Sequence, residues 1–529
     1  MNVFAVFLLL LLNPSPTNSF IKRSCMKCCK NSNENQIIVI GAGIGGLATA
    51  ARLAKAGGKV KVLEKNGIER IGGRLNSRII SGNNENEELK YRFDTGPSLL
   101  LLPEVFEQTF SDLGYKIEDF LEIKRVEPSY KIFFGDGTIF EFSHDETEVE
   151  KQFEKIESGS YLAFKKYMNF ADTNLKVGWP NFIQEKFDAN NLKEFLTNCI
   201  AFNPLASHHQ QMNRLFKSPK IKAILSFQDL YVGLTPYTAP AVFSLLQAIE
   251  LNKGIFYPIG GFQGISNALF EVCKHLGVEF EFECEVKEIS VGGKIYSFEA
   301  EGVVAKSEEY FPSKLVVSNV DLPFSELNLL SDQFKRRDVG ELEFSSGIIA
   351  IYWGCNKTWA QLNHHSIFLS TNYEESWEVG SFFEGPKEKD DAAINFYVAA
   401  PSRTDPSACP PNHDSIMVLV PCPLLPSSNE ELTSNDKRRL EENVGGWVQR
   451  VRKNVVGRIS KVPGMEAFES SIVCERINSP LDWKSLYSLE RGAAFGLSHK
   501  LSQLSVFRPK HDHPSINSLH YVGASTKPG

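Results

Sequence analysis

The sequence predicts an α/β protein built on a parallel-sheet domain, with an inserted second domain and a helical cap. Three observations carry this. A glycine-rich turn, Gly41-Ala42-Gly43-Ile44-Gly45-Gly46, lies between a short apolar run and an alanine-rich stretch. An acidic residue, Glu64, closes the next apolar run. A long region of helical composition then separates two regions rich in strands. Strand, glycine turn, helix and strand in that order make a Rossmann-like βαβ unit.

At 529 residues, with 42% hydrophobic and 23% charged side chains, the chain can bury a large interior divided into two or three subdomains. A net charge of −7 offers nothing to a polyanion, so nucleic acid is excluded as a partner. Ten cysteines are too sparse for a disulfide scaffold, and Cys199, Cys273, Cys284, Cys355, Cys409, Cys422 and Cys474 lack metal-ligand spacing. Cys25, Cys28 and Cys29 have a CxxC spacing but no second Cys/His pair to close a tetrahedral site, so no metal centre is expected. Residues 1–35 read as a targeting leader. Its run 3–12 is apolar and too short to span a bilayer, Thr17 and Ser19 occupy small-residue cleavage positions, and Lys22, Arg23, Lys27 and Lys30 follow without an acidic neighbour.

The run Ile37-Ile38-Val39-Ile40 is short, β-branched and bounded by glycine, as a buried parallel strand requires. A helix over 46–56 follows, Gly57-Gly58 stops it, and 59–63 is the second strand. Residues 83–88 read as a polar loop, and 130–142 as a hairpin turning at Gly135-Asp136-Gly137. From 147 to 216 the chain is rich in Glu, Lys, Phe and Leu, which predicts the helical cap, and 236–248 adds another apolar helix. A helix over 262–276, strands over 278–286, 315–319 and 348–353, and a proline-rich loop over 401–412 complete the reading. Beyond the leader no apolar run reaches about 18 residues, so any membrane contact is peripheral.

The glycine turn carries a definite chemistry. Gly41 permits the tight turn, Gly43 lets a pyrophosphate approach the backbone, and Gly46 lets the helix pack on the sheet. The helix N-terminus offers free N–H groups and a positive dipole end to phosphate. Glu64 is placed for the adenosine ribose hydroxyls. These features fit NAD as well as FAD.

Gly72-Gly73-Arg74 separates the two. With this turn the sequence resembles the FAD-containing amine oxidase and carotenoid desaturase superfamily, in which a GGR turn crosses the flavin's phosphate region and its arginine adds positive charge. Phe93-Asp94-Thr95-Gly96-Pro97 is similar to the FDxGP segment lining the flavin pocket, and Phe256-Tyr257-Pro258-Ile259-Gly260-Gly261 to the W/Y-x-P-x-GG element of the bacterial and fungal phytoene desaturases. Further matches are Val317-Ser318-Asn319-Val320-Asp321, His364-His365-Ser366-Ile367-Phe368, Pro401-Ser402-Arg403-Thr404-Asp405-Pro406-Ser407, Phe507-Arg508-Pro509 and the stretch 521–529.

The resemblance implies a glutathione-reductase-type FAD-binding domain assembled from 36–146, 255–330 and 491–529, a membrane-associated helical cap at 147–254 and a substrate domain at 331–490. FAD is then held non-covalently by Gly41, Gly43, Gly45, Gly46, Glu64, Gly72, Gly73, Arg74, Gly96, Pro97, Gly523 and Pro528, with the Val286 backbone at the adenine. The implied activity is stepwise dehydrogenation of phytoene toward lycopene, with an apolar C40 polyene as substrate and a quinone or oxygen as electron acceptor. Two alternatives share the fold: a prolycopene-type carotenoid isomerase and a catalytically silent carotenoid-binding homologue.

Such a substrate loses a hydride to the flavin and a proton from the neighbouring carbon, and it binds by area alone in a long apolar tunnel. His364 and His365 read as structural, no catalytic base is assigned, and the stretch Glu157-Ser158-Gly159-Ser160 lacks the Asp/Arg pair entertained for proton transfer in relatives. The leader resembles the bipartite leaders of algae with complex plastids, which implies a plastid membrane. Relatives continue past the Pro-Gly pair found here at 528–529 into a last helix pointing at the flavin, so the sequence is expected to be truncated, and Lys527 stands where they carry His or Arg.

Overall fold

The computed structural model describes residues 36–84, 87–180, 206–294, 297–383, 394–427, 432–504 and 507–527. The leader, Cys199 and Pro528 lie outside the described residues. Strand β1 (Gln36–Ile40), helix α1 (Ile44–Lys55) and strand β2 (Lys59–Leu63) form the βαβ unit, β1 and β2 pairing in parallel from Gln36↔Lys59 to Ile40↔Leu63. Helix α2 (Gln263–His275) leads into β3 (Glu279–Glu281). With β4 (Leu315–Ser318) and β5 (Leu519–Tyr521) they make a five-stranded parallel sheet in the order β5-β4-β1-β2-β3.

Period-two alternation buries both faces of this sheet. Ile37, Val39, Val60 and Val62 pack on Leu47, Ala50 and Ala51 of α1 and on Ala268 and Val272 of α2. Ile38, Ile40 and Leu63 point the other way, onto Val286, Ile289 and Val303. The strand expected over 278–286 is broken: Glu283 adopts φ 56, turning the chain out of the sheet, and Val286–Lys294 pairs instead with Ser297–Ala305. Within 83–88, expected as a loop, Asn83 and Asn84 pair with Glu88 and Glu87 in the long hairpin of Ser77–Asn84 against Glu87–Asp94.

A second sheet has seven strands, in the spatial order Ile472–Asn478, Gly347–Cys355, Asp414–Cys422, Phe396–Ala399, His365–Leu369, Tyr130–Phe134 and Ile139–Phe142. Its pairs are antiparallel except for Ser366–Leu369 beside Lys131–Phe134. Ile349, Ile351 and Trp353 face the helix Ser434–Ile459, meeting Val444, Val451 and Val455. Ala350 and Tyr352 face the cap, in one cluster with Val149 and Phe153 of helix Glu146–Ile156 and Phe164 and Tyr167 of helix Ser160–Gly178. The hairpin 130–142, which the sequence put in the segment 36–146, therefore belongs to the sheet of 331–490. Parallel pairing lets Tyr130 and Ile132 join the same core as Ile367 and Tyr397. The apolar helix expected over 236–248 is split after Pro240 into Ala241–Ser244, Leu245–Gln247 and a π-helical turn, Ala248–Lys253.

Candidate functional site

Strand order reverses between β4 and β1, which opens a crevice at their carboxyl ends. The glycine turn fills its floor. Gly41 takes φ 95, its N–H donates to the Leu63 carbonyl at 2.8 Å, and a side chain at Gly46 would overlap the Gly41 carbonyl oxygen. Helix α1 starts at Gly43 with no side-chain cap and no acidic residue in its first turn, so its positive end remains available to an anion. Buried Glu64 ties this turn to the end of β2: Oε2 accepts the Ala42 N–H at 2.8 Å, and Oε1 accepts the Asn66 N–H at 3.0 Å and its Nδ2 at 2.8 Å. Val286 is buried beside Leu63, and the Glu64 carbonyl accepts the Cys284 N–H at 2.9 Å.

Asn319, just past β4, organises the turn from the other side. Its N–H donates to the Ile40 carbonyl and its Nδ2 to the Val522 carbonyl, each at 2.8 Å. A Cβ on Gly43 would come to 2.5 Å from Asn319 Oδ1, one on Gly45 to 2.8 Å from Nδ2, and one on Gly523 to 3.8 Å from Nδ2. The bare side of Gly43, assigned from sequence to a pyrophosphate, thus faces Asn319.

The GGR turn docks on the same crevice. The Gly72 N–H donates to the Ala42 carbonyl at 2.9 Å, and Gly72 and Gly73 take φ 92 and φ 62. Arg74 Nη1 donates to the Ala494 carbonyl at 2.6 Å, and a side chain on Gly96 would overlap the Arg74 carbonyl, which sets Gly96-Pro97 beside the arginine. Asp321 Oδ1 accepts the Ser525 hydroxyl at 2.5 Å, while its Oδ2 is out of solvent without a donor. Burial pushes this carboxyl up, opposed by the Ser525 hydrogen bond and by Arg74 and Arg508. Arg508 is buried and donates to the carbonyls of Leu497, Ser498, Gln503 and Ala524; burial lowers its guanidinium to about 10.

The crevice so assembled is phosphate-ready at α1, has a spare acceptor at Asp321 and carries positive charge at Arg74. That donor and acceptor set fits a polyhydroxylated dinucleotide. It brings together Gly41, Gly43, Gly45, Gly46, Glu64, Gly72, Gly73, Arg74, Gly96, Pro97, Val286 and Gly523. Sequence reasoning quoted Asn319, Asp321, Arg508 and Ser525 within motifs but gave them no role. The first two were findable, because residues just beyond a strand at a topological switch point face the ligand.

On the cap side of the seven-stranded sheet lie two apolar cavities. One is lined by Phe93, Asp94, Ser98, Tyr257, His364 and Met417 and has room for about one water, and Ser98 directly follows Gly96-Pro97. The other, equally small, is lined by Phe227, Leu230, Tyr231, Ile367, Trp377 and Tyr397. Asp94 accepts the hydroxyls of Ser77 and Tyr257, each at 2.6 Å, and the Phe262 N–H at 2.8 Å, a fully engaged carboxylate. His364 Nδ1 lies 2.6 Å from Thr404 Oγ1 and His365 Nδ1 2.7 Å from the Tyr397 hydroxyl. Burial lowers His364 to about 3 and His365 well below its ordinary value, so both imidazoles are neutral. Glu157 accepts the Lys217 and Ser218 N–H groups and anchors a cap turn.

A family model described as flavin containing amine oxidoreductase matches residues 44–442. The chain is 36% identical over 513 residues to the phytoene desaturase of Fusarium fujikuroi, covering 94% of this chain and 86% of that protein. It is 32% identical over 503 residues to a zeta-carotene-forming phytoene desaturase of Myxococcus xanthus, covering 93% and 90%. Among solved structures, cyclohexylamine oxidase from Brevibacterium oxydans matches with a TM-score of 0.53 at 13% identity, covering 93% of this chain and 94% of that one, a likeness of fold.

Proposed function

Because the chain belongs to the flavin containing amine oxidoreductase family and is an FAD-dependent oxidoreductase acting on CH–CH bonds, we propose that it dehydrogenates phytoene stepwise toward lycopene. One observation carries the reading: the match to phytoene desaturases runs through cap and substrate sheet as well as nucleotide domain, over 94% of the chain. When bound, FAD supplies the hydride acceptor. Gly41 to Gly46 and the start of α1 would hold its diphosphate, Glu64 its ribose side and Arg74 its charge, while Gly96 and Pro97 lie toward the substrate.

The phytoene desaturase relatives support a polyene as substrate, and the two small pockets beside the cap are apolar as such a substrate requires. Such a molecule has no polar handle, so its affinity comes from buried area at about 25 cal/mol per Å². A polyene resides in a bilayer, and the reading includes a peripheral membrane contact; among the described residues no helix is long and apolar enough to cross a membrane. It also includes a quinone or oxygen as electron acceptor and a plastid address in the leader.

The test is chromatographic. Purified chain loaded with FAD is given phytoene in liposomes, and the carotenoids are separated. Products with longer conjugation are expected. Conversion of poly-cis substrates without change in hydrogen count would make it an isomerase, and bound carotenoid without conversion a silent homologue.

A further inference from the structure

Glu250 is fully buried and has no part in the site described above. It lies in the π-helical turn Ala248–Lys253, a local widening of the helix of a kind often found at functional sites. Its Oε1 accepts the Tyr130 hydroxyl at 2.8 Å, and its Oε2 accepts Gln228 Nε2 at 3.2 Å. Gln228 is oriented in turn, its Oε1 accepting Gln247 Nε2 at 2.9 Å. Behind Tyr130 stands the Tyr231 hydroxyl, 3.1 Å away.

A phenol has one proton to give. Since that of Tyr130 goes to Glu250, the bond between the two tyrosines runs from Tyr231 to Tyr130. The hydroxyls thus form a directed chain ending on the carboxylate, and the Tyr231 oxygen keeps a lone pair. Tyr231 also lines the second of the two small apolar pockets. Burial holds the carboxyl protonated up to about pH 8, so it becomes a proton acceptor only as pH rises through that value. Among the described residues, only Tyr130 and Gln228 favour the charged form of Glu250.

We propose that Tyr231, backed by Tyr130 and Glu250, takes the proton that leaves the polyene in each desaturation. The proposal rests on the desaturase reading. Loss of a hydride from one carbon to the flavin leaves that carbon electron-deficient. The C–H bond of its neighbour then breaks, and the electron pair becomes the second bond of the new C=C. The released proton goes to the Tyr231 oxygen as the Tyr231 proton passes to Tyr130 and the Tyr130 proton to Glu250. Two electrons and one proton have left as hydride, and the second proton rests on the carboxyl until it is lost to solvent. Tyr231 is the group that meets substrate; Tyr130 and Glu250 act through it.

The other titratable groups packed around the chain of hydroxyls are Tyr167 from helix Ser160–Gly178, Tyr397 from strand Phe396–Ala399 and His365, whose ring lies 5.9 Å from that of Tyr130. Both phenols are raised by burial and the imidazole is neutral, so none adds a charge near neutral pH.

The experiment uses the full chain with bound FAD, phytoene in liposomes and anaerobic single-turnover bleaching of the flavin, comparing Tyr231→Phe, Tyr130→Phe, Glu250→Gln and Glu250→Asp with wild type. The first three should slow bleaching by roughly 100-fold or more, with flavin content unchanged by absorbance. The wild-type rate should rise with pH as the carboxylate forms; Glu250→Asp should keep that rising limb and Glu250→Gln lose it. Independently of turnover, infrared difference spectra should contain a carboxyl titration that Glu250→Gln abolishes and that Tyr130→Phe moves to higher pH, because it removes a donor to the charged form. Wild-type rates and pH profiles in the variants, or no such carboxyl band, would overturn the relay. A wild type that forms no desaturated carotenoid would remove the desaturase reading and the relay with it, whereas product lost only in the variants bears on the relay alone.

Discussion

Replacing Glu250 by glutamine keeps its shape and removes its titration, which makes the cost of burying this carboxyl measurable. Burial raises the group from 4.5 to about 8, with the hydrogen bonds from Tyr130 and Gln228 pulling the other way. In the unfolded chain it ionises near its ordinary value, so between pH 4.5 and about 8 the folded state binds the extra proton. The sign follows: stability from this group is fully present below pH 4.5 and declines as pH rises, until the folded carboxyl has also ionised above about 8. At about 1.4 kcal/mol per unit, the window amounts to roughly 5 kcal/mol. Glutamine has no such slope. Urea denaturation followed by tryptophan fluorescence at pH 5, 7 and 9 should therefore give a wild type that loses stability with pH faster than Glu250→Gln, the difference between the two changing by several kcal/mol across the series. A constant offset from lost hydrogen bonds cancels in this comparison. Parallel pH curves for the two proteins would refute the reasoning.

Three further outcomes are expected. Gly43→Ala should reduce bound flavin, and combining it with Asn319→Ala should restore part of it, because the added Cβ meets the tip of a side chain at 2.5 Å and not backbone; flavin absorbance of the purified variants is the check. His208→Ala should lower stability by about 3–5 kcal/mol, measured as a drop in the thermal midpoint, since among the described residues His208 joins fully buried Asp229 to the Tyr167 hydroxyl, at 2.9 Å on each side. Acid or heat should release the flavin without proteolysis, as non-covalent binding requires, and a yellow denatured polypeptide would count against it.

The parts of the site that were legible in the sequence are local. The β1–α1–β2 unit, its glycines and Glu64 span 36–64, and each follows from chain geometry within a few residues: β-branched strands, a turn at positive φ, a helix of small side chains. Asn319 escaped because its partners are remote: Ile40 lies far upstream and Val522 is 203 residues downstream. Ser525 escaped for the same reason, its partner Asp321 lying 204 residues upstream. The hairpin 130–142 was recognised as a hairpin, yet its sheet was misjudged, since alternation reveals which face is apolar but not which core it joins. At Glu283 a single left-handed residue ended a strand that composition alone would have continued.

Strand β5 has a bearing on how such a protein matures in the cell. Its partner β4 leaves the ribosome some two hundred residues earlier, and Asn319 has no Val522 carbonyl to hold it until the later strand arrives. Translation reaches the whole cap and substrate sheet before the nucleotide crevice can close. Flavin capture then waits for synthesis of β5, and during the wait the free edge of β4 is open to pairing with the wrong partner. Once bound, FAD stabilises the completed sheet in proportion to its free concentration. Cells starved of riboflavin are accordingly expected to lose the polypeptide itself to proteolysis, and not merely its activity.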